Sequence, residues 1–317
     1  MKIAIIGAGL AGSYLAAQLA ATHAVTVFEK ARGAGGRMST RRAVPYAFDH
    51  GAQYFTAASD EFRAFLAPLI QEGTVAAWPD SIALWAGATI SDKPKFSAVP
   101  GMNALCKSLV AGSDVRFGAR VDSLRRRTDG WVLSSADGAQ AGPYDWVIST
   151  APAPQTAALL PDEFAGKAQL SGVEMLGCFA LMLGFEHAPQ LDWIALKSGQ
   201  PPIGWMAVNS HKPGRGEACS LVVQSNNEWA EAHLEDDPDA VIHTLLSAAS
   251  EIAGTDLSRA NHQALHRWRY AATRTPAGAP FLIDDRLKLA ACADWCLGGK
   301  VEAAFLSANA LAQSLRS

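Results

Sequence analysis

Apolar and polar positions predict a strand, a helix and a second strand at the start of the chain. Residues 2–6 form a short apolar run typical of a buried strand, and residues 13–21 are apolar enough for a helix. Residues 25–29 then alternate as a strand does. This order favours a parallel sheet covered by helices.

Turn residues between positions 115 and 150 separate three further apolar runs. We predict strands over 115–124, 131–135 and 144–150, which together would form a three-stranded meander. The three arginines at 125–127 would lie at a hairpin tip as a solvated face.

Two segments of the middle region allow a functional and a structural interpretation. Residues 203–209 predict a strand that ends in the polar segment 209–215, so Asn209 either lines a pocket or belongs to a loop. Residues 267–270 alternate, so Trp268 and Tyr270 share one face, either as a pocket wall or as ordinary strand packing.

Composition limits the classes of function. The 317 residues are 49% hydrophobic and 18% charged with a net charge of −3, which excludes a disordered chain and a strongly basic nucleic-acid surface. Five cysteines without paired spacing argue against a secreted disulfide framework and favour a reducing cytoplasm. We therefore expect a small-molecule substrate and neither a nucleic acid nor a membrane as partner.

The N-terminal segment superficially resembles a secretory signal peptide, since an uncharged apolar stretch follows Lys2. Three glycines interrupt that stretch and it leads directly into a predicted strand, so we interpret it as structural. No apolar run reaches the roughly 18 residues that a membrane-spanning helix needs.

The three interrupting glycines have the spacing of a dinucleotide-binding turn. Gly7 permits a tight turn, Gly9 lets a pyrophosphate approach the backbone, and Gly12 allows the helix to pack closely on the strand. Glu29 ends the second strand, where an acid can accept hydrogen bonds from a ribose. A second glycine-rich stretch over 32–37 exceeds what a nicotinamide cofactor needs and favours FAD, with Arg37 available to a phosphate oxygen.

Other chemistries lack their minimum motifs. The sequence has no nucleophile elbow, Walker loop, zinc-protease helix or C-x-x-C pair, and we expect no metal. Cys292 and Cys296 are interpreted as inert thiols.

These motifs together resemble the flavin-containing amine oxidase superfamily. Segments 36–40 and 48–56, with the block from Leu287 onwards, are most similar to bacterial renalase-like proteins. The resemblance covers both ends of the chain and is loose over about 160–265. Ala293 stands where the superfamily usually has glycine.

The resemblance implies an FAD site built from both ends of the chain. Val121 would touch the adenine, Asp294 would bind a ribityl or phosphate-proximal hydroxyl, and the helix begun at Val301 would point at the flavin N1 and C2 carbonyl. No cysteine near Trp268 is placed for covalent attachment, so FAD would be noncovalent. The implied cofactor contacts are Gly7, Ala8, Gly9, Leu10, Ala11, Gly12, Glu29, Lys30, Gly36, Arg37, Met38, Gln53, Tyr54, Val121, Trp268, Asp294, Lys300 and Val301.

We expect an α/β fold with an FAD-binding Rossmann-type domain, made of a parallel sheet and the meander, and a smaller discontinuous α+β substrate domain. The first domain is predicted over 1–54, 97–159 and 266–317, and the second over 55–96 and 160–265.

Three functions remain open at this point. The first is a renalase-like oxidase that transfers a hydride from a 2- or 6-dihydro-NAD(P) isomer through flavin to O2, giving NAD(P)+ and H2O2. The second is an oxidase of primary or secondary amines, and the third a non-catalytic FAD-binding protein. The short substrate domain favours the first. The candidate catalytic residues are Tyr54, Asn209, Trp268 and Tyr270.

Overall fold

The computed structural model describes residues 1–78, 82–90 and 92–316. The strands, numbered in chain order, are β1 (Lys2–Ile6), β2 (Ala24–Glu29), β3 (Thr40–Ala43), β4 (Tyr46–Asp49), β5 (Val75–Trp78), β6 (Ala83–Trp85), β7 (Lys95–Ala98), β8 (Asp114–Phe117), β9 (Ser123–Arg127), β10 (Gly130–Ser134), β11 (Gln140–Tyr144), β12 (Trp146–Ser149), β13 (Glu174–Phe185), β14 (Ala195–Ser198), β15 (Ile203–Val208), β16 (Cys219–Ser225), β17 (His262–Thr275), β18 (Leu282–Asp284) and β19 (Leu289–Ala291). The helices are α1 (Leu10–Leu19), α2 (Asp60–Gln71), α3 (Ala104–Val110), α4 (Ala153–Leu159), α5 (Lys167–Ser171), α6 (Asn227–Ala232), α7 (Pro238–Ala253) and α8 (Val301–Ser314).

The chain folds into two units, each built from separate segments. The first unit comprises Met1–Gly36, Asn103–Met175 and Thr273–Ser317, and the second comprises Arg37–Met102 and Leu176–Ala272. The predicted domains differ from these units at residues 37–54, 97–102 and 266–272, which belong to the second unit, and at residues 160–175, which belong to the first. The second unit is about as long as the first rather than smaller. Residues 79–81, 91 and 317 of the predicted domains lie outside the described residues.

The first unit contains a six-stranded sheet in the order β18-β19-β12-β1-β2-β8. Neighbouring strands from β19 to β8 are parallel, and β18 is antiparallel to β19. A separate antiparallel sheet, β11-β10-β9, is the predicted meander. The Rossmann-type parallel sheet and the meander are therefore confirmed.

Two predicted strands of this region are assigned differently. Residues 115–124 form two strands rather than one, because Gly118 adopts a φ of +68° and ends β8. The third meander strand is β11, whereas Trp146–Ser149 joins the parallel sheet. All four residues of β12 are buried, as expected for a central parallel strand covered on both faces.

The second unit contains a mixed six-stranded sheet in the order β17-β13-β16-β15-β14-β6. Helix α7 packs on the apolar face of this sheet through Val241, Leu245 and Ala249. These side chains share one buried cluster with sheet residues such as Leu221 and Val223. The β3–β4 hairpin packs Phe48 against Met182 and Val222.

Candidate functional site

The glycine turn between β1 and α1 has no room for a side chain at Gly7 or Gly12. A Cβ on Gly12 would lie 1.9 Å from the Gly7 carbonyl oxygen, and a Cβ on Gly7, whose φ is +107°, would lie 2.8 Å from Thr150 Oγ1. Helix α1 starts after Gly9 with neither a side-chain cap nor an acid in its first turn. Its first backbone N–H groups and its dipole are therefore available to a phosphate.

The two glycine-rich stretches meet in the structure. The Gly35 N–H donates to the Ala8 carbonyl at 2.8 Å, and a Cβ on Gly36 would lie 3.1 Å from Gly9 Cα. Gly36 also has a φ of +53°, which favours glycine. This close backbone cradle fits the pyrophosphate of a dinucleotide.

Glu29 is fixed beside that cradle. The residue is 6% exposed, and its carboxylate accepts hydrogen bonds from the N–H groups of Ala8 and Ala31, both at 2.7 Å. Each oxygen keeps a further lone pair for a ribose hydroxyl. Sequence analysis placed Glu29 correctly at the end of β2, but the two backbone contacts could not be predicted from it.

Val121 lies in the link between β8 and β9 rather than within a strand. The link runs along the end of β2, since the N–H groups of Gly118 and Ala119 donate to the carbonyls of Ala31 and Glu29, both at 2.9 Å. Lys30 is exposed and donates to Gln155.

Asp294 lies in a tight turn before α8. Its carbonyl accepts the N–H groups of Leu297, Gly298 and Gly299 at 2.9–3.0 Å, and the residue is 6% exposed. Helix α8 begins at Val301, and its N-cap residue Lys300 makes no side-chain cap. The first N–H groups of this helix therefore have no N-cap side chain as acceptor, and Glu302 lies in the same turn.

Gly299 does not tolerate a side chain, and the reason lies in the protein alone and does not depend on a bound cofactor. Its φ is +74°, and a Cβ there would lie 2.9 Å from the Thr273 backbone nitrogen. A substitution at this position would strain the protein itself and cannot report on a flavin contact.

The glycine turn, Glu29 and the Asp294 turn share one edge of the parallel sheet. Ile6 pairs with Phe28 and Ser149, and Ser149 pairs with Ala291. The residues that follow these positions therefore lie at the carboxyl ends of adjacent strands. This is where open α/β sheets bind their ligands.

The remaining predicted site residues lie in the second unit. The side chains of two of them are hydrogen-bonded to other groups of the protein. Asn209 is fully buried, accepts the Asp49 N–H at 3.2 Å and donates to the Ala47 carbonyl at 2.9 Å. Gln53 donates to the Asp49 and Gly51 carbonyls and accepts from Lys212. We therefore interpret both as structural residues and remove them from the candidate contacts.

The polar segment after β15 also contributes a buried ion cluster that sequence analysis did not predict. Lys212 Nζ lies 3.3 Å from Asp49 Oδ2, Arg215 lies 2.5 Å from the same oxygen, and all three side chains are at most 1% exposed. Burial raises the pKa of Asp49, but the two cations and hydrogen bonds from Thr40 and Met102 outweigh it and hold the pKa below its usual value. Burial lowers the pKa of Lys212 to about 8.

A second cluster, made of His50, His266 and Trp268, is called the histidine–tryptophan cluster. The Trp268 ring stacks on His50 with centroids 5.2 Å apart, and His266 lies edge-on to both at 4.8 Å and 4.3 Å. Tyr270 is half-buried two residues further along β17. The alternation of residues 267–270 predicted Trp268 as a site residue, but neither histidine was predicted, although His50 continues the alternation of Tyr46 and Phe48.

Both imidazoles of this cluster have lowered pKa values, which favours their neutral forms. Burial, with help from His266 and Arg41, lowers the pKa of His50 to about 4. Burial and Arg41 also lower the pKa of His266. Among the described residues, His50 Nδ1 is buried without a hydrogen-bond partner.

Tyr54 belongs to a separate aromatic group with Trp78 and Trp205, at ring separations of 6.0 Å and 5.3 Å. Burial raises the pKa of Tyr54. Arg37 and Met38 open the hairpin segment. The Arg37 carbonyl accepts the Ala52 N–H at 2.8 Å, and Met38 is buried.

Comparison with known proteins gives matches along most of the chain. The profile of a family described as flavin containing amine oxidoreductase matches residues 73–315, and that of an NAD(P)-binding Rossmann-like domain matches residues 5–69. Renalase from Mus musculus is 26% identical over 294 residues, which cover 85% of this chain and 84% of that protein. A 4,4'-diapophytoene desaturase from Staphylococcus aureus is 48% identical over 52 residues, or 16% of this chain and 10% of its own.

Solved structures share the fold over nearly the whole chain. A candidate protoporphyrinogen oxidase from Exiguobacterium has a TM-score of 0.78 at 12% identity, covering 99% of this chain and 98% of its own. A triple mutant of putrescine oxidase has a TM-score of 0.72 at 12% identity, covering 100% and 99%. Within the described ranges, no helix has the length and apolar character needed to cross a membrane, and no three potential metal ligands are grouped.

Proposed function

The chain belongs to the family of flavin containing amine oxidoreductases and is an FAD-dependent oxidoreductase, and from that premise we propose that it oxidises isomeric dihydronicotinamide dinucleotides. The substrate, a 2- or 6-dihydro-NAD(P), loses a hydride. Oxygen takes up the two electrons and the proton of that hydride, together with one further proton from water. The products are NAD(P)+ and H2O2, as the resemblance to renalase-like proteins implies.

The observation that carries this proposal is the charge of the histidine–tryptophan cluster. Its two imidazoles have lowered pKa values, and Asp49, the one carboxylate acting on His50, is paired with Lys212 and Arg215. Among the described residues, the cluster thus has no unpaired carboxylate to attract an amine cation. A flat, uncharged aromatic surface suits a nicotinamide or adenine ring better.

The first unit would hold FAD at the sheet edge. The glycine turn and the N-terminus of α1 would bind the pyrophosphate, with Glu29 on the ribose. Arg37, Asp294 and Val301 remain proposed contacts. When bound, FAD accepts the hydride and passes the electrons to oxygen. The uncapped N-terminus of α8 could stabilise the negative charge that develops on reduction.

The second unit would orient the substrate. Trp268 is fixed by its stack on His50 and by a hydrogen bond from its indole N–H to the His50 carbonyl at 2.8 Å. A fixed ring can hold the donor carbon within the tolerance that hydride transfer needs. The hydride leaves without a coupled proton, so this role requires no general base. Tyr54 and Tyr270 are further proposed contacts.

The test is anaerobic reduction of the flavin by a panel of donors. Borohydride-treated NAD+, which contains 2- and 6-dihydro isomers, should bleach the flavin rapidly, and pure NADH should bleach it slowly. Air should then give one peroxide per turnover. If benzylamine or putrescine bleaches the flavin faster than every dihydronicotinamide isomer, the chain is an amine oxidase; if no donor does, it is a non-catalytic FAD-binding protein.

A further inference from the structure

Two adjacent arginines of the second unit, Arg41 and Arg42, have side chains that meet no partner among the described residues. Each of the unit's other lysines and arginines has a hydrogen bond, an ion pair or another interaction with the protein, for example Arg63 with Asp60, Lys197 with the Thr89 carbonyl and Arg269 with Glu235. Within the described ranges, the guanidinium groups of Arg41 and Arg42 make neither an ion pair nor a hydrogen bond, and both residues are exposed.

The β3–β4 hairpin directs these two arginines to opposite faces. Arg41 pairs with Phe48, and Arg42 pairs with Ala47. Residues directly opposite each other in an antiparallel pair share a face, and successive residues alternate. Arg41 therefore lies on the face of Phe48, and Arg42 on the face of Asp49.

The face of Arg41 is the one that packs against β17. Phe48 stacks on His262 with ring centroids 5.5 Å apart, and His50, next on the same face, stacks on Trp268. Arg41 thus lies beside the histidine–tryptophan cluster. Its positive charge is close enough to lower the pKa of both His50 and His266.

No anion among the described residues balances Arg41. Asp49, the nearby carboxylate that acts on His50, is buried on the opposite face and already has two cations. The neighbouring imidazoles are neutral and add no negative charge. An unbalanced guanidinium beside an aromatic surface is suited to a ligand that joins a flat ring to an anion.

We propose that Arg41 binds a phosphate group of the dinucleotide substrate and sets the preference of the site for phosphorylated donors. This inference rests on the proposed function and adds the residue that recognises the anion. The phosphate belongs either to the pyrophosphate or to the 2′-phosphate of the NADP form. Arg42, equally exposed and one residue away, has no such role.

The test compares Arg41→Gln with the matched control Arg42→Gln in the FAD-loaded protein. Binding of NAD+ and NADP+ is followed by tryptophan fluorescence, and anaerobic flavin reduction is measured with dihydro isomers of NAD+ and of phosphate-free nicotinamide riboside. Arg41→Gln should weaken NADP+ binding about ten- to hundredfold, as loss of a charge-assisted hydrogen bond does, and should weaken NAD+ binding equally if the contact is to the pyrophosphate. The loss should be smaller at high salt. Arg42→Gln should change the binding of either dinucleotide less than about twofold. Riboside reduction should be the same in both variants.

Each outcome decides the inference. An equal loss for NAD+ and NADP+ assigns the pyrophosphate, and a loss confined to NADP+ assigns the 2′-phosphate. Equal effects of the two substitutions, no effect of either, loss of FAD from Arg41→Gln, or no NAD+ binding by the wild type at millimolar concentration would overturn it. If no dihydronicotinamide reduces the flavin but NAD+ binding still depends on Arg41, the proposed function fails while the phosphate contact stands.

Discussion

Trp268 is tied twice to His50, by ring stacking at 5.2 Å and by a hydrogen bond from its indole nitrogen to the His50 carbonyl at 2.8 Å. The residues are 218 positions apart in sequence. The stack and the hydrogen bond restrain the indole in complementary ways, since one sets the plane of the ring and the other its rotation within that plane.

This pairing predicts different results for two substitutions of Trp268. Trp268→Ala removes both contacts and should slow flavin reduction on the order of a hundredfold with little loss of FAD, because a misplacement of about 1 Å can cost that much. Trp268→Phe keeps a stacked ring and should have a smaller effect. Trp229→Phe, in the other tryptophan–histidine stack of the unit, is the control. Equal rates in Trp268→Ala and the wild type would remove Trp268 from the site.

Glu29→Ala should weaken FAD binding by about 1–3 kcal/mol through loss of the ribose contacts. It should also lower the stability of the FAD-free protein, since the buried N–H group of Ala8 and the partly buried N–H group of Ala31 lose their acceptor. Titration with FAD and thermal unfolding of the apoprotein measure the two effects separately. Asp114→Ala, at an exposed position of neighbouring β8, should change FAD affinity little. Unchanged FAD retention in Glu29→Ala would show that Glu29 does not contact the ribose and has a structural role only.

Asp49→Asn should lower the free energy of unfolding by about 3–5 kcal/mol, because it leaves Lys212 and Arg215 buried with no compensating charge. Asp60→Asn breaks an exposed pair with Arg63 and should cost less than about 1 kcal/mol. Urea unfolding of both variants provides the comparison. Similar midpoints would show that the buried cluster contributes little.

His50 should make the protein less stable in acid. Its pKa falls from 6.5 to about 4 on folding, so the unfolded chain binds a proton more readily than the folded one between these values. Stability is therefore lost as the pH falls from 6.5 towards 4, by up to about 3 kcal/mol. His50→Gln should flatten this part of the pH–stability curve, and His187→Gln, at an exposed position, should not. Parallel curves for His50→Gln and the wild type would contradict the assignment.

Local signals in the sequence predicted the first strand, the glycine turn and the position of Glu29. Each depends on a few consecutive residues, and the glycines are required by backbone geometry that tertiary contacts do not change. The prediction of one continuous strand over 115–124 was wrong, because Gly118 turns the backbone. The Gly118 N–H thereby reaches the Ala31 carbonyl, a partner distant in sequence.

The candidate site of the second unit was less predictable because its contacts join distant segments. Asp49 meets Lys212 and Arg215 across more than 160 positions, and Asn209 bonds to the backbone of β4. Nothing in the segment 209–215 indicates which acid it will meet. The alternation of Tyr46, Phe48 and His50 was the one available signal, since it places the imidazole on the same face as two buried aromatic rings.

The 1.9 Å approach at Gly12 also determines which mutations the cofactor turn can accept. Every other amino acid has a Cβ, so no substitution at position 12 is conservative. Gly33, in the adjoining loop, differs because a Cβ there meets nothing within 4 Å. In a saturation library selected for folded protein, position 12 would return glycine alone, while position 33 would return most of the twenty amino acids.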